Sequence, residues 1–144
     1  MRRKGLNRSV AEAVREVDLE SFSAKYRKAR EEKQFDQVPL DDIVNAVAFA
    51  AKSDMRTHQI AALFGHIPQW VSAMIAVLRF STEVKQVLSE GYARTGYLDD
   101  VGVRFIASSP PELRLKRAQN LVSQYGTRYG QGNRNAQRTV AERA

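Results

Sequence analysis

Apolar residues recur every three or four positions through most of the chain, and proline, glycine, serine and aspartate break that pattern into a succession of short helices. Ile43, Val44, Val47, Ala50 and Ala51 form a broad stripe on a segment that Pro39 opens and Ser53 with Asp54 closes. Asp41 and Asp42 stand in its first turn, where carboxylates complement the positive end of a helix. Ile60 and Phe64 predict a short helix from His58 to Phe64 with Thr57 as its N-cap, and Val71, Met74, Ile75 and Leu78 predict the inward face of a helix from Pro68 to about Arg79. Ser81 caps a further helix carrying Val84, Val87 and Leu88, which Gly91 is expected to stop, leaving Tyr92 to Tyr97 as a loop. Asp99 or Asp100 opens a short helix with Val103, Phe105 and Ile106. Ser109-Pro110-Pro111-Glu112 then has the form of a capping box before a helix with Leu113, Ala118, Leu121, Val122 and Tyr125, ended by Gly126. No period-two pattern occurs, so the fold class is all-α, a multi-helix bundle of six to eight helices with flexible basic termini.

The first quarter of the chain is more polar. Residues 1–8 predict a disordered basic arm, followed by a helix started by the Ser9–Glu12 capping box, whose narrow stripe of Val10, Val14 and Val17 suits a partner helix and hence a dimer. Phe22, Ala24 and Tyr26 continue the stripe loosely, and Tyr26 stands among the charges of a segment, 24–33, that is basic on several faces. That segment reads equally as a solvated helix or as a functional one, a contact to the DNA backbone or a helix extending from a dimer. After Tyr125 the chain turns to glycine and arginine without apolar periodicity, as in a flexible tail. The expected organisation is an arm (1–8), a helical extension (9–34), a helical domain (35–125) and a tail (126–144).

The stretch from Thr57 to Phe80 has the spacing of a helix-turn-helix. Ala61 is small where a second helix must pass close, Gly65 tolerates positive φ at the turn, and Pro68 falls at the first position of the second helix. Any αα-hairpin in a helical core needs the same features, so the pattern alone leaves both readings open. On the second helix the outward positions are Gln69, Ser72, Ala73 and Ala76; Gln69 and Ser72 can hydrogen-bond base edges and Ala73 can meet a thymine methyl. Trp70 reads as a core anchor or as a second outward feature.

Ile60-Ala61, Phe64-Gly65, Val71-Ser72, Val77-Leu78-Arg79-Phe80 and Thr82-Glu83-Val84 through Glu90-Gly91 follow one another in the order found in the helix-turn-helix of the ParB/KorB family of plasmid and chromosome partition proteins, which this third of the chain resembles. The resemblance implies duplex DNA binding in transcriptional regulation or plasmid maintenance. Where that family usually carries lysine, serine and arginine after the turn glycine, this chain has His66, Ile67 and Pro68, and the family's nucleotide-binding box, Gly-Glu-Arg-Arg, is absent, so a CTP-driven clamp is not implied. The candidate DNA-binding residues are Thr57, His58, His66, Pro68, Gln69, Ser72, Ala73 and Arg79, with Arg2, Arg3 and Lys4 of the arm.

Charge adds to this picture. The net +7 is concentrated at the ends, with ten basic against six acidic side chains in residues 1–34 and four against one in 126–144, as expected of arms that neutralise phosphates. A chain of 144 residues with 43% hydrophobic side chains and a mean hydropathy of −0.45 suits one domain with much polar surface. There is no cysteine, and the two histidines, His58 and His66, lack the spacing and companions of a zinc site and are expected on the polar surface. Helix starts account for the Asp41/Asp42 and Asp99/Asp100 pairs, so no catalytic residue, metal or cofactor is expected. The expected partners are double-stranded DNA, a second copy of the chain and further proteins, in the cytoplasm and away from membranes. An interaction or architectural module with nonspecific nucleic-acid binding is the alternative.

Overall fold

The computed structural model describes residues 14–128, which form seven α-helices and no strand: α1 (Leu19–Glu31), α2 (Leu40–Lys52), α3 (Thr57–Phe64), α4 (Pro68–Leu78), α5 (Thr82–Thr95), α6 (Asp100–Ala107) and α7 (Pro111–Arg128). A single 3-10 turn, Phe35–Gln37, joins α1 to α2. The basic arm, the Ser9 capping box and the tail beyond Arg128 lie outside the described residues.

Helix α2 occupies the middle. Leu40, Ile43, Val44, Ala46, Val47, Ala48 and Ala50 are all buried along it, and α1, α3, α4 and α5 pack around it. Apolar positions on every side of one helix are what a central helix requires, since each face meets a neighbour. Its one buried polar side chain, Asn45, accepts from the backbone N–H of Arg15 at 2.7 Å and donates to the carbonyl of Arg15 at 3.0 Å. The segment from Val14 to Asp18 is therefore not helical, contrary to the stripe expected through Val14 and Val17. Its backbone polar groups find the Asn45 amide instead of a helical ladder, and the helix begins at Leu19, where the Asp18 carboxylate accepts from Ser21 N–H at 3.2 Å.

Helix α1 has a deeper face than its sequence suggests. Tyr26, Ser23 and Ala29 are buried on it, so the tyrosine that stands among charges in the sequence is a core residue. The charges around it occupy the other sides of the helix.

Helix α5 runs past Gly91 to Thr95, and the stop is Gly96, at φ 69. Gly91 keeps helical geometry and serves packing: a Cβ there would lie 2.8 Å from a methyl of Val122 on α7. Tyr92, expected in a loop, is consequently a buried helical residue. At the next corner Ser109 is buried but does not cap α7; its hydroxyl donates to the Phe105 carbonyl at 2.7 Å and accepts from Arg117 at 2.5 Å. Arg114 donates to the carbonyls of Ala107 and Ser109, so one arginine of α7 satisfies carbonyls at the end of α6, while Arg117 holds the Ser109 hydroxyl. Val103 and Ile106 are buried on α6, whereas Phe105 points outward. Helix α7 continues through Gly126 to Arg128.

Candidate nucleic-acid interface

Between α3 and α4 the helix axis turns through 97° across three residues. Gly65 makes the turn at φ 78, while its own N–H bonds to the Ala62 carbonyl and that of His66 to the Ala61 carbonyl, the paired bonds that close a helix through a left-handed residue. Thr57 is the first helical residue of α3, not its cap; the Arg56 N–H at that boundary is held by the Gln59 side chain at 2.8 Å. Helix α4 begins on Pro68 with no side-chain cap at Ile67.

An aromatic cluster fixes the first turn of α4. Trp70 is buried, stacked on His66 with ring centres 4.0 Å apart and planes 11° apart, and it also meets Phe64 at 5.6 Å and Tyr26 at 6.0 Å. The Tyr26 hydroxyl lies 2.6 Å from His66 Nε2, and burial pushes this phenol far above its ordinary range, so it is the natural donor to a neutral ring. Arg30 lies over the rings of Tyr26 and Phe35 and donates to the Gly96 carbonyl at 2.8 Å. His66 is thus half-buried and built into the turn, contrary to the polar surface role expected of it. Burial, and then the positive charge of Arg30, hold it down to about 4.

This depression makes a pH prediction. A group whose native pKa, about 4, lies below its ordinary 6.5 binds fewer protons folded than unfolded between those values. Its contribution to stability is therefore complete above about 6.5 and is lost as pH falls towards 4. For a partly exposed ring the loss is expected to be about 2 kcal/mol. Urea denaturation of the wild type and of His66→Gln at pH 7 and pH 4.5 should show the wild type losing more stability on acidification; equal losses would mean that this ring does not carry the effect.

The other expected site residues divide clearly. Thr57 and His58 on α3, and Pro68, Gln69, Ser72 and Arg79 along α4, are exposed. Gln69, Ser72 and Arg79, with half-buried Ala76 between them, stand at intervals of three and four and so form one line along the outer side of α4. Ala73 is a correction: it is 0% exposed and cannot reach a base. It stands three residues after Trp70 and four before Val77, on the face that the tryptophan commits to the core. Arg2, Arg3 and Lys4 lie outside the described residues.

Two residues outside the candidate set join it. Ile67 is 57% exposed at the very start of α4, an apolar side chain beside Gln69. Arg27 lays its stem along the turn, close enough that a Cβ on Gly65 would meet its Cδ at 3.9 Å. The residue is exposed, a cation beside the turn, and its Nε donates to the Ser23 carbonyl.

No known family, curated protein or solved structure matches this chain. Among the described residues no three acidic or histidine side chains gather as a metal site, and no single helix is long and apolar enough to cross a membrane.

Proposed function

We propose that this chain binds double-stranded DNA sequence-specifically through α3 and α4 used as a helix-turn-helix, with α4 as the reading helix, in a transcriptional regulator or a plasmid partition or maintenance factor. The observation that carries the reading is the right-angled α3–α4 corner, which anchors Trp70 inward and leaves Gln69 and Ser72 on an open outer line. In this arrangement Gln69 pairs with adenine from the first turn of α4, Ile67 takes the thymine-methyl role that buried Ala73 cannot fill, and Arg27 meets a phosphate beside the turn. The net charge of +7 and the resemblance of residues 60–91 to the ParB/KorB helix-turn-helix agree with it.

A second reading, an interaction module with nonspecific nucleic-acid binding, is favoured by the lack of any lysine or arginine on α3 or on α4 before Arg79 at its end. Selection of bound fragments from a random duplex pool, followed by competition of the selected duplex against random DNA, separates the two. Enrichment of one sequence supports the first reading, and equal competition supports the second. Gln69→Ala is expected to relax preference at one base position by about 1–3 kcal/mol, measured by titrating single-base variants of the selected duplex. Its melting temperature should stay unchanged, because an exposed glutamine supports no packing.

A further inference from the structure

We infer that the outer face of α6 is a dimer interface between two copies of this chain. Val101 and Phe105 stand four residues apart on the helix and are 63% and 55% exposed, an apolar ridge in a region otherwise rich in charge. Beside the ridge, α6 and α7 enclose a groove of about 260 Å³ bordered by Gly102, Phe105, Arg117, Asn120 and Leu121. Two features hold this face still. Arg114 binds the Ala107 carbonyl at the end of α6 and Arg117 the Ser109 hydroxyl just beyond it, and Gly102 is packed so closely that a Cβ would lie 2.7 Å from Leu121.

The charges identify the occupant. The N-terminal end of α6 is acidic, with Asp99 and Asp100, and the other end is basic, with Arg104 on the helix and the Arg117 guanidinium 4.7 Å over the Phe105 ring. Within one copy Arg104 reaches Asp100 at only 3.8 Å, along the exposed edge of the ridge. A face that is acidic at one end, apolar in the middle and basic at the other is complementary to itself when two copies lie antiparallel about a two-fold axis. Arg104 then faces Asp100 of the second copy, and Val101 of each copy enters the groove beside Phe105 of the other. No third component is needed to satisfy either end.

The packing also bounds the distance between the two copies of α4. Helix α6 lies directly against α4, and Val101 and Phe105 are on its exposed side. Stepping from α4 to α6, across the two-fold, and out to the second α4 spans three helix-to-helix spacings of about 8–10 Å each, so the two α4 helices stand at most about 30 Å apart, a little less than the roughly 34 Å between successive major-groove faces on one side of DNA. The interface does not depend on the DNA reading, and its test is made without nucleic acid.

Sedimentation equilibrium of the full chain over a range of concentrations should show a monomer–dimer equilibrium. Phe105→Glu should weaken the dimer by about a hundredfold or more with an unchanged circular dichroism spectrum, since the side chain is exposed in the single copy. Arg104→Glu should weaken it as well, and adding Asp100→Arg to that variant should restore it by re-pairing the charges. A wild type that stays monomeric, a Phe105→Glu protein that dimerises as well as wild type, or a charge swap that restores nothing would overturn the assignment.

Discussion

Trp70→Ala is expected to lower stability by about 3–5 kcal/mol, the range for removing a large buried aromatic side chain. For a domain of this size that is roughly 12–20 °C in melting temperature. The indole touches three rings from three different places, Tyr26 on α1, Phe64 on α3 and His66 in the turn, so its loss opens a void that none of them can fill alone. The His66 ring would lose its stacking surface, and the start of α4 would lose the contact that fixes its angle to α3. Nucleic-acid binding should fall for every sequence alike, in contrast to Gln69→Ala, which changes preference at one position. Thermal denaturation followed by binding to selected and random duplexes checks both parts. A folded, fully stable variant would show that the aromatic cluster does not hold the corner.

Gly96→Ala is expected to cost about 2–4 kcal/mol, from two sources that comparison with Gly65 separates. Gly65 and Gly96 both have φ near +70 to +80, at 78 and 69, so alanine pays a similar backbone strain at either. Their surroundings differ. Around Gly65 the nearest atom to an added Cβ is 3.9 Å away, whereas at Gly96 three atoms of the Phe35 ring would lie within 2.4 Å. Phe35 cannot swing aside freely, because it also meets Tyr92 edge-on and lies under Arg30. Gly65→Ala should therefore cost only about 1 kcal/mol. Urea titrations of both variants should show midpoints shifted by unequal amounts with similar slopes. Equal shifts would mean that the ring makes no demand on position 96.

The all-α class and most helix positions were legible in the sequence, because period, capping and proline placement are local signals. The Thr57–Phe80 stretch shows why: Gly65, Pro68 and the apolar spacing fix where the chain turns without reference to any other helix. The errors came from contacts between distant elements. Gly91 looks like a stop until Val122 is known to lie against it, and the Val14–Val17 stripe looks helical until Asn45 is seen to hold the backbone of Arg15. Tyr26 is the same case, since nothing within α1 announces that His66 and Trp70 are waiting for it. At the candidate interface, outward Gln69 and Ser72 could be read from the period of α4. Ala73 was misplaced because α4 buries two adjoining faces, and a single stripe of apolar residues reports only one.

The contacts of α1 have a consequence for how the protein comes apart. Tyr26 reaches the α3–α4 turn and Arg30 reaches the end of α5, so this helix fastens two ends of the fold that no loop connects. Peeling it away uncovers Phe64 and Trp70 together and strips the Gly96 carbonyl of its donor. Fraying from the amino end should halt at Asp18, and the amide hydrogens of α1 should exchange with solvent only when the whole bundle opens, at the same free energy as those of α2 in the centre.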